Sequence, residues 1–350
     1  MEGLIRVLVV DDSAFVRKVV SQMLRRSPFI EVVGAARDGG EALEMVRELE
    51  PDVVTLDLVM PRMDGLEFLR RQMAIRPVAV VLCSISQQSG AAALQALELG
   101  AVDFVQKPTA LATDRLYEIA DELIAKVKAA ALVALPMAAG EEPAKAAAVT
   151  LASVPGLGRR ARADIVVIGV STGGPQALRF LIPRLAADFQ VPIAIVLHMP
   201  VGYTAMYAQR LDEISQLRVV EAAEGDVILP GTVYLAAAGH HLSFLPGTDG
   251  TVLAHLDLEP LGTQHRPAVD VLFRSAADVY GDRVLGVVMT GMGSDGLVGS
   301  AHIQAKGGRI ITEDESSCVV YGMPRAVAEA GMSSKVSTLG EMASSISAMI

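Results

Sequence analysis

Two groups of residues have the types and spacing to do chemistry. Asp11 and Asp12 end one short apolar run, Asp57 ends another, Ser84 closes a third, and Lys107 closes a fourth just before Pro108. If those runs are neighbouring strands, three carboxylates, a hydroxyl and an ammonium converge on one rim. Carboxylate oxygens with positions left for water and phosphate are what Mg²⁺ prefers. An ammonium alongside would neutralise a phosphoryl group in transit to Asp57. The second group is Ser171, His198 and Asp295. Ser171 lies in Gly169-Val170-Ser171-Thr172-Gly173-Gly174-Pro175, a turn between an apolar run and a helix start, where backbone N–H groups favour an anion. Together the three supply a nucleophile, a general base and a group to orient the imidazole. Each residue alone has a plainer reading. An Asp after a strand caps a helix, a Ser-Thr-Gly-Gly turn holds a phosphate, and a lone His packs. Convergence on a shared rim is what favours chemistry.

The positioning elements follow from hydrophobic periodicity. Runs at 5–10, 31–36, 52–57, 78–84 and 103–107 alternate with helix-period segments, which predicts a five-stranded parallel sheet covered on both faces. Such doubly wound sheets bind ligands beyond the carboxyl ends of their strands. A second α/β pattern begins at Asp164, with strands expected at 164–170, 192–199, 217–222, 232–237, 284–290 and 308–312. The span 232–256 reads as an antiparallel hairpin turning at Asp249-Gly250. Residues 129–163 break the rhythm: 13 of the 35 are Ala, none is aromatic, and Pro and Gly interrupt any helix. The expected organisation is therefore a first domain over 1–128, a linker over 129–163 and a second domain over 164–350. The second sheet is expected to be mostly parallel. The remaining histidines, His240 and His241 in a loop, His255 on the hairpin and His302 in a helix, read as surface or packing residues. His265 is a candidate to line a substrate groove.

Composition narrows the classes of function. The 350 residues carry 30 Lys+Arg against 40 Asp+Glu, and the net charge of −10 falls chiefly on residues 164–350, with 11 basic and 19 acidic side chains. An acidic second domain is a poor partner for nucleic-acid backbones. Two cysteines, Cys83 and Cys318, make neither a disulfide framework nor a zinc site. Glu2 stands where a signal peptide would be basic, and no apolar run approaches the roughly 20 residues a bilayer span needs. A cytoplasmic protein with no direct membrane insertion is expected.

The motifs also carry resemblances. Residues 4–125 resemble response-regulator receiver domains through VVDDS, LDLVMPRMDGLEFL (56–69), Ser84 and FVQKP (104–108). That resemblance implies phosphorylation of Asp57 by a partner histidine kinase, with Ser84 and Phe104 reorienting to signal it. From Asp164 onward the chain is similar to the catalytic domain of chemotaxis protein-glutamate methylesterases, the CheB family, which also deamidate glutamines. IGVSTGGP (168–175), LHMP (197–200), HRPAVDVLF (265–273), MTGMGSDG (289–296) and SCVVYGMPR (317–325) carry the likeness. It implies a triad of Ser171, His198 and Asp295, with backbone N–H groups at Thr172 and Met292 as the oxyanion hole and no cofactor for ester hydrolysis. It also implies a chemotaxis histidine kinase and methyl-accepting chemoreceptors as partners. Val170 and Ser294 depart from the alanines the family leads one to expect. The order of domains leads to a further expectation, that the receiver covers the Ser171 rim until Asp57 is phosphorylated. Two other functions stay open on sequence: a phosphorylation-switched binding module without catalysis, and an esterase for a small metabolite.

Overall fold

The computed structural model describes residues 3–84, 90–107, 113–133 and 163–350. The expected linker, 129–163, lies mostly outside that part, as does the side chain of Ser84.

The first sheet has order β2-β1-β3-β4-β5, all parallel: β1 (Ile5–Val10), β2 (Ile30–Ala36), β3 (Val53–Leu56), β4 (Ala79–Ser84) and β5 (Asp103–Gln106). Near-continuous apolar runs produce it, because helices cover both faces; Val7 to Val10 and Val53 to Leu56 are all buried. The helices start where short polar side chains satisfy free N–H groups. Ser13 accepts from Val16 N ahead of α1 (Ala14–Leu24), Asp38 from Gly40 and Glu41 N ahead of α2 (Gly39–Leu49), and Asp64 from Glu67 N ahead of α3 (Gly65–Ile75). Two more helices, α4 (Gly90–Glu98) and α5 (Thr113–Ala130), complete this part, and α5 runs past the expected boundary at 128.

The second sheet has seven strands in the order β14-β13-β12-β6-β7-β9-β8, again all parallel. They are β6 (Ile165–Val170), β7 (Ile193–Leu197), β8 (Arg218–Glu221), β9 (Thr232–Leu235), β12 (Val284–Val288), β13 (Arg309–Glu313) and β14 (Lys335–Ser337). From β6 the chain winds outward through β7, β8 and β9, then returns to add β12, β13 and β14 on the other side. The winding therefore reverses between β6 and β12, where open α/β sheets place their sites.

Two expectations need correction. The strand at 232–235 is buried throughout and pairs with β7 and β8, so it belongs to the main sheet. The antiparallel hairpin is shorter, β10 (His241–Pro246) with β11 (Val252–Asp257), and its turn holds Asp249-Gly250 as expected. Continuous apolar character in TVYL was the mark of a two-sided parallel strand; only 241–257 has the half-exposed character of a hairpin. His241 accordingly lies not in a loop but at the start of β10, fully buried, where Nδ1 accepts from Ala268 N at 3.2 Å. The strand β14, three residues long and mostly polar, had no periodicity to mark it.

Helices α6 (Gly174–Leu181), α7 (Thr204–Ile214), α8 (Val269–Tyr280), α9 (Leu297–Ala305), α10 (Met323–Glu329) and α11 (Leu339–Ser347) cover this sheet. One apolar core runs without a break from the first domain into the second: Leu94 and Leu97 of α4 belong to the same cluster as Leu178 of α6 and Tyr207 and Leu211 of α7. Among the described residues no helix is long and apolar enough to cross a membrane.

Candidate functional site

On the first domain the carboxyl ends of β1, β3 and β5 form an acidic pocket. Asp11 and Asp57 are buried, Asp12 is exposed, and one ligand oxygen from each lies within 4.8 Å of the others. Lys107 Nζ sits 2.5 Å from Asp11 Oδ2 and 2.8 Å from Asp57 Oδ2. Burial pushes the Asp57 carboxyl up; Lys107 pulls it back and Asp11 adds to the rise, so it ends above its ordinary value. For Lys107 burial acts downward, but the two carboxylates outweigh it and the ammonium is held charged. Asp11 Oδ2 is buried and, despite its closeness to Nζ, makes no well-directed hydrogen bond. A buried carboxylate oxygen lacking a directed donor, beside two more carboxylates, is a donor set that fits a hard divalent cation.

The second site is built at the reversal point. Ser171 follows β6 directly and stands ahead of α6, whose first turn carries Pro175. Ser171 N donates to Thr290 O at 3.0 Å, and a Cβ on Gly291 would fall 2.8 Å from that of Ser171, so the loop after β12 presses against the serine. His198 follows β7, the neighbour of β6 on the other side. Its Nε2 pairs with Asp295 Oδ2 at 2.9 Å, whereas Nδ1 is buried without a hydrogen-bond partner. The His265 ring stacks on that of His198 with centroids 4.1 Å apart. Burial, with the neighbouring His198 and Lys126, lowers the His265 pKa to about 4, so this ring is neutral at pH 7.

Asp295 is held by more than the imidazole. Oδ2 also accepts from Val269 N at 2.8 Å, and Oδ1 accepts from Asp270 N at 2.9 Å, both in the first turn of α8. Burial raises its pKa, but the His198 hydrogen bond and charge and those two N–H donors reverse the effect and hold the carboxyl below its ordinary value. Thr172 is buried and Met292 exposed. Val170 is fully buried, packing toward Gly174, and Ser294 is exposed.

Several participants were not singled out in the sequence. Thr290 Oγ1 donates to Thr172 O at 2.9 Å, and Glu313 Oε2 accepts Thr290 N at 2.8 Å, so a wholly buried carboxylate supports the serine loop from beneath. Glu313 ends β13, and the strand-end rule applied there would have found it. Asp103 is the less expected one. From β5 of the first domain, its Oδ2 accepts the Thr172 hydroxyl at 2.6 Å, one residue from Ser171. Lys126 Nζ lies 3.1 Å from Asp103 Oδ1 and donates to Phe104 O at 2.7 Å. Phe104, buried, meets Tyr203 of the second domain with ring centroids 4.9 Å apart. Gln176 Nε2 donates to Ala101 O, and Arg179 and Arg210 both pair with Glu98 at 2.8 and 3.1 Å. The first domain thus lies against the loop that carries Ser171. Of the other histidines, His255 pairs with Glu224 at 3.0 Å and His302 with Asp278 at 2.9 Å, both away from this rim.

Fold and side chains together define a class: a doubly wound domain with an acidic phosphate-type pocket, seated on an α/β domain with hydrolase groups at its winding reversal. Family models agree with both halves, the response regulator receiver domain matching residues 7–120 and the CheB methylesterase matching 166–346. The chain is 52% identical over 340 residues to protein-glutamate methylesterase/protein-glutamine glutaminase 5 of Myxococcus xanthus, covering 97% of this chain and 96% of that one. It is 42% identical to the protein-glutamate methylesterase/protein-glutamine glutaminase of Pyrococcus horikoshii, covering 94% and 89%. The Thermotoga maritima CheB methylesterase catalytic domain is similar in structure, with a TM-score of 0.52 and 39% identity, covering 54% of this chain and all of that one. The chain belongs to the CheB methylesterase family.

Proposed function

We propose that this chain is a cytoplasmic, phosphorylation-regulated serine hydrolase. It removes methyl groups from glutamate esters, and deamidates glutamines, on methyl-accepting chemoreceptors, so adapting a chemotaxis response. The observation that carries this reading is the His198–Asp295 bond beyond the sheet whose strand β6 leads directly into Ser171, with a receiver-domain carboxylate bonded to Thr172 beside the serine.

His198 takes the Ser171 proton through Nδ1, the ring nitrogen left without a partner, while Asp295 holds the Nε2–H and steadies the imidazolium that forms. The serine oxygen attacks the ester carbonyl. The N–H groups of Thr172 and Met292 receive the oxyanion, each worth about 3–4 kcal/mol in the transition state. The imidazolium returns its proton to the departing methoxide, which leaves as methanol. A water, deprotonated by the same base, then frees the glutamate carboxylate; with glutamine, ammonia leaves instead.

In the receiver, Asp11, Asp12 and Asp57 would hold Mg²⁺, which when bound shields the negative charge of an incoming phosphoryl group. Lys107 fixes the Asp57 carboxylate and offsets charge on the same group. The partner kinase is the phosphodonor. Ser84 and Phe104 relay occupancy of Asp57, and Phe104 and Asp103 sit on the interface that must open. The domains we assign are 1–128, a linker over 129–163, and 164–350.

The test is methanol release from methylated chemoreceptor membranes, with and without a small phosphodonor and Mg²⁺. Release should require Ser171, and it should rise with phosphodonor only when Asp57 is intact. Labelling of Ser171 by a fluorophosphonate with no release from any receptor would retain the hydrolase and discard the substrate. Neither labelling nor release would discard both.

A further inference from the structure

Helices α8 and α9 begin face to face, and neither has a side-chain cap of its own: the residues before them are Ala268 and Gly296. Each is capped from the other's loop. Asp295, just ahead of α9, accepts Val269 N and Asp270 N at the start of α8. Asp270, in the first turn of α8, accepts Gly296 N at 3.0 Å and Gly299 N at 2.6 Å at the start of α9. The approach is close enough that a Cβ on Gly299 would stand 2.5 Å from Phe273 Cβ and 3.1 Å from Asp270 Cα.

We infer that Asp270 is a positioning residue for the hydrolytic reaction, fixing the Asp295 carboxylate against His198 by tying down the start of α9 directly after it while its own backbone N–H holds that carboxylate. This rests on the reading of Asp295 as the imidazole orienter. Of the four N–H groups in the reciprocal caps, two hold Asp295 and two hold Asp270, and one of the two on Asp295 is the backbone N–H of Asp270 itself. The place of the Asp295 carboxylate is shared with Asp270. Burial, offset in part by the Gly299 and Gly296 donors, holds the Asp270 carboxyl above its ordinary value, and the Asp295 charge adds to the rise. The pair is kept together by N–H groups between two like charges, which makes the geometry sensitive to loss of either acceptor.

The experiment uses the full chain and two readouts: the rate at which a fluorophosphonate labels Ser171, and the low-field proton resonance of the His198 imidazole N–H bonded to a carboxylate. Asp270→Ala should slow labelling about 10- to 100-fold, the scale on which small misplacements act, and should broaden or abolish the resonance. Asp270→Asn keeps an oxygen acceptor for both N–H groups and should stay within a few-fold of wild type with the resonance intact. Where alanine prevents folding, Asp270→Glu displaces the acceptor while keeping the charge and should slow labelling at least threefold. Wild-type labelling and an unchanged resonance in Asp270→Ala, or a wild-type rate in Asp270→Glu, would overturn the inference. Asp295→Asn runs in parallel: if it alone is slow, the triad reading stands and the role of Asp270 falls, and if it labels like wild type, the triad reading itself falls.

Discussion

Replacing Asp103 with alanine tests whether the receiver restrains the hydrolase through Thr172. The Thr172 hydroxyl donates to the Asp103 carboxylate at 2.6 Å across a partly buried contact. Hydrogen bonds to a charged group are worth roughly 1.5–3 kcal/mol. Lys126 keeps two other partners in the variant, Glu122 at 3.0 Å and Phe104 O at 2.7 Å, so the receiver does not gain a bare buried ammonium. Taking the lower end, since water replaces the lost acceptor in the open form, the closed arrangement weakens by about 1.5 kcal/mol. At about 1.4 kcal/mol per tenfold, the open population rises roughly tenfold. Basal methanol release without phosphodonor should rise by that factor. Release at saturating phosphodonor should stay the same, because that state is already open. The stimulation ratio would then shrink about tenfold from the bottom. An Asp103→Ala protein that melts like wild type but keeps the wild-type basal rate would refute the restraint. A fall in basal rate would show that the receiver activates by contact.

Further outcomes follow from other parts of the molecule. Ser171→Ala should abolish methanol release yet leave phosphorylation of Asp57 intact, as followed with a labelled phosphodonor, since the two sites are chemically independent. Deleting residues 1–128 should raise basal release from the exposed Ser171 rim; a drop measured on folded protein counts against occlusion. His265 has its folded pKa depressed to about 4, by burial first and then by His198 and Lys126, with Asp295 opposing them. Its neutral form stabilises the fold above the unfolded value of about 6.5, and that contribution is lost as pH falls from there toward 4. After allowance for partial exposure this amounts to about 2 kcal/mol, so a His265→Phe protein should lose less stability than wild type in urea titrations at pH 7 and pH 4.5. Glu313→Ala leaves Thr290 N buried and unpaired, costing about 1–3 kcal/mol. A melting temperature lower by about 2–10 °C is expected, and an unchanged one would mean that water takes the place of the carboxylate.

Much of this architecture was legible because parallel strands advertise themselves. Runs such as IVVIGV are apolar on both faces, and the rule that ligands sit at their carboxyl ends pointed to Asp57, Ser171 and His198 before any coordinates. Asp295 was legible through its glycine-rich turn, although it lies seven residues beyond the end of β12. The interlocking was not. Asp103 sits one residue from Phe104 in a strand, and nothing in DFVQ says that its carboxylate reaches a hydroxyl 69 residues away. Asp270 has the place in sequence of an ordinary first-turn acid, the kind that complements a helix's own N-terminus, whereas its carboxylate serves the neighbouring helix. The hairpin was drawn too long because TVYL and HLSFLP are adjacent in sequence, and only burial on both faces separates a core strand from a ribbon.

The bond between Asp103 and Thr172 has a kinetic consequence. The atom that senses the receiver and the hydroxyl proposed to attack the substrate belong to consecutive residues, so the signal has almost no distance to travel. No strain needs to pass through the seven-stranded sheet, and no second shape of the hydrolase needs to exist. Under such an arrangement turnover is a gated process. Each spontaneous separation of the domains opens a window, and the enzyme works for as long as that window lasts. Residual activity in an unstimulated cell would then report how often the interface breathes, and phosphorylation would lengthen the windows without changing the chemistry inside them. Individual molecules followed in time should alternate between silence and bursts of one fixed rate.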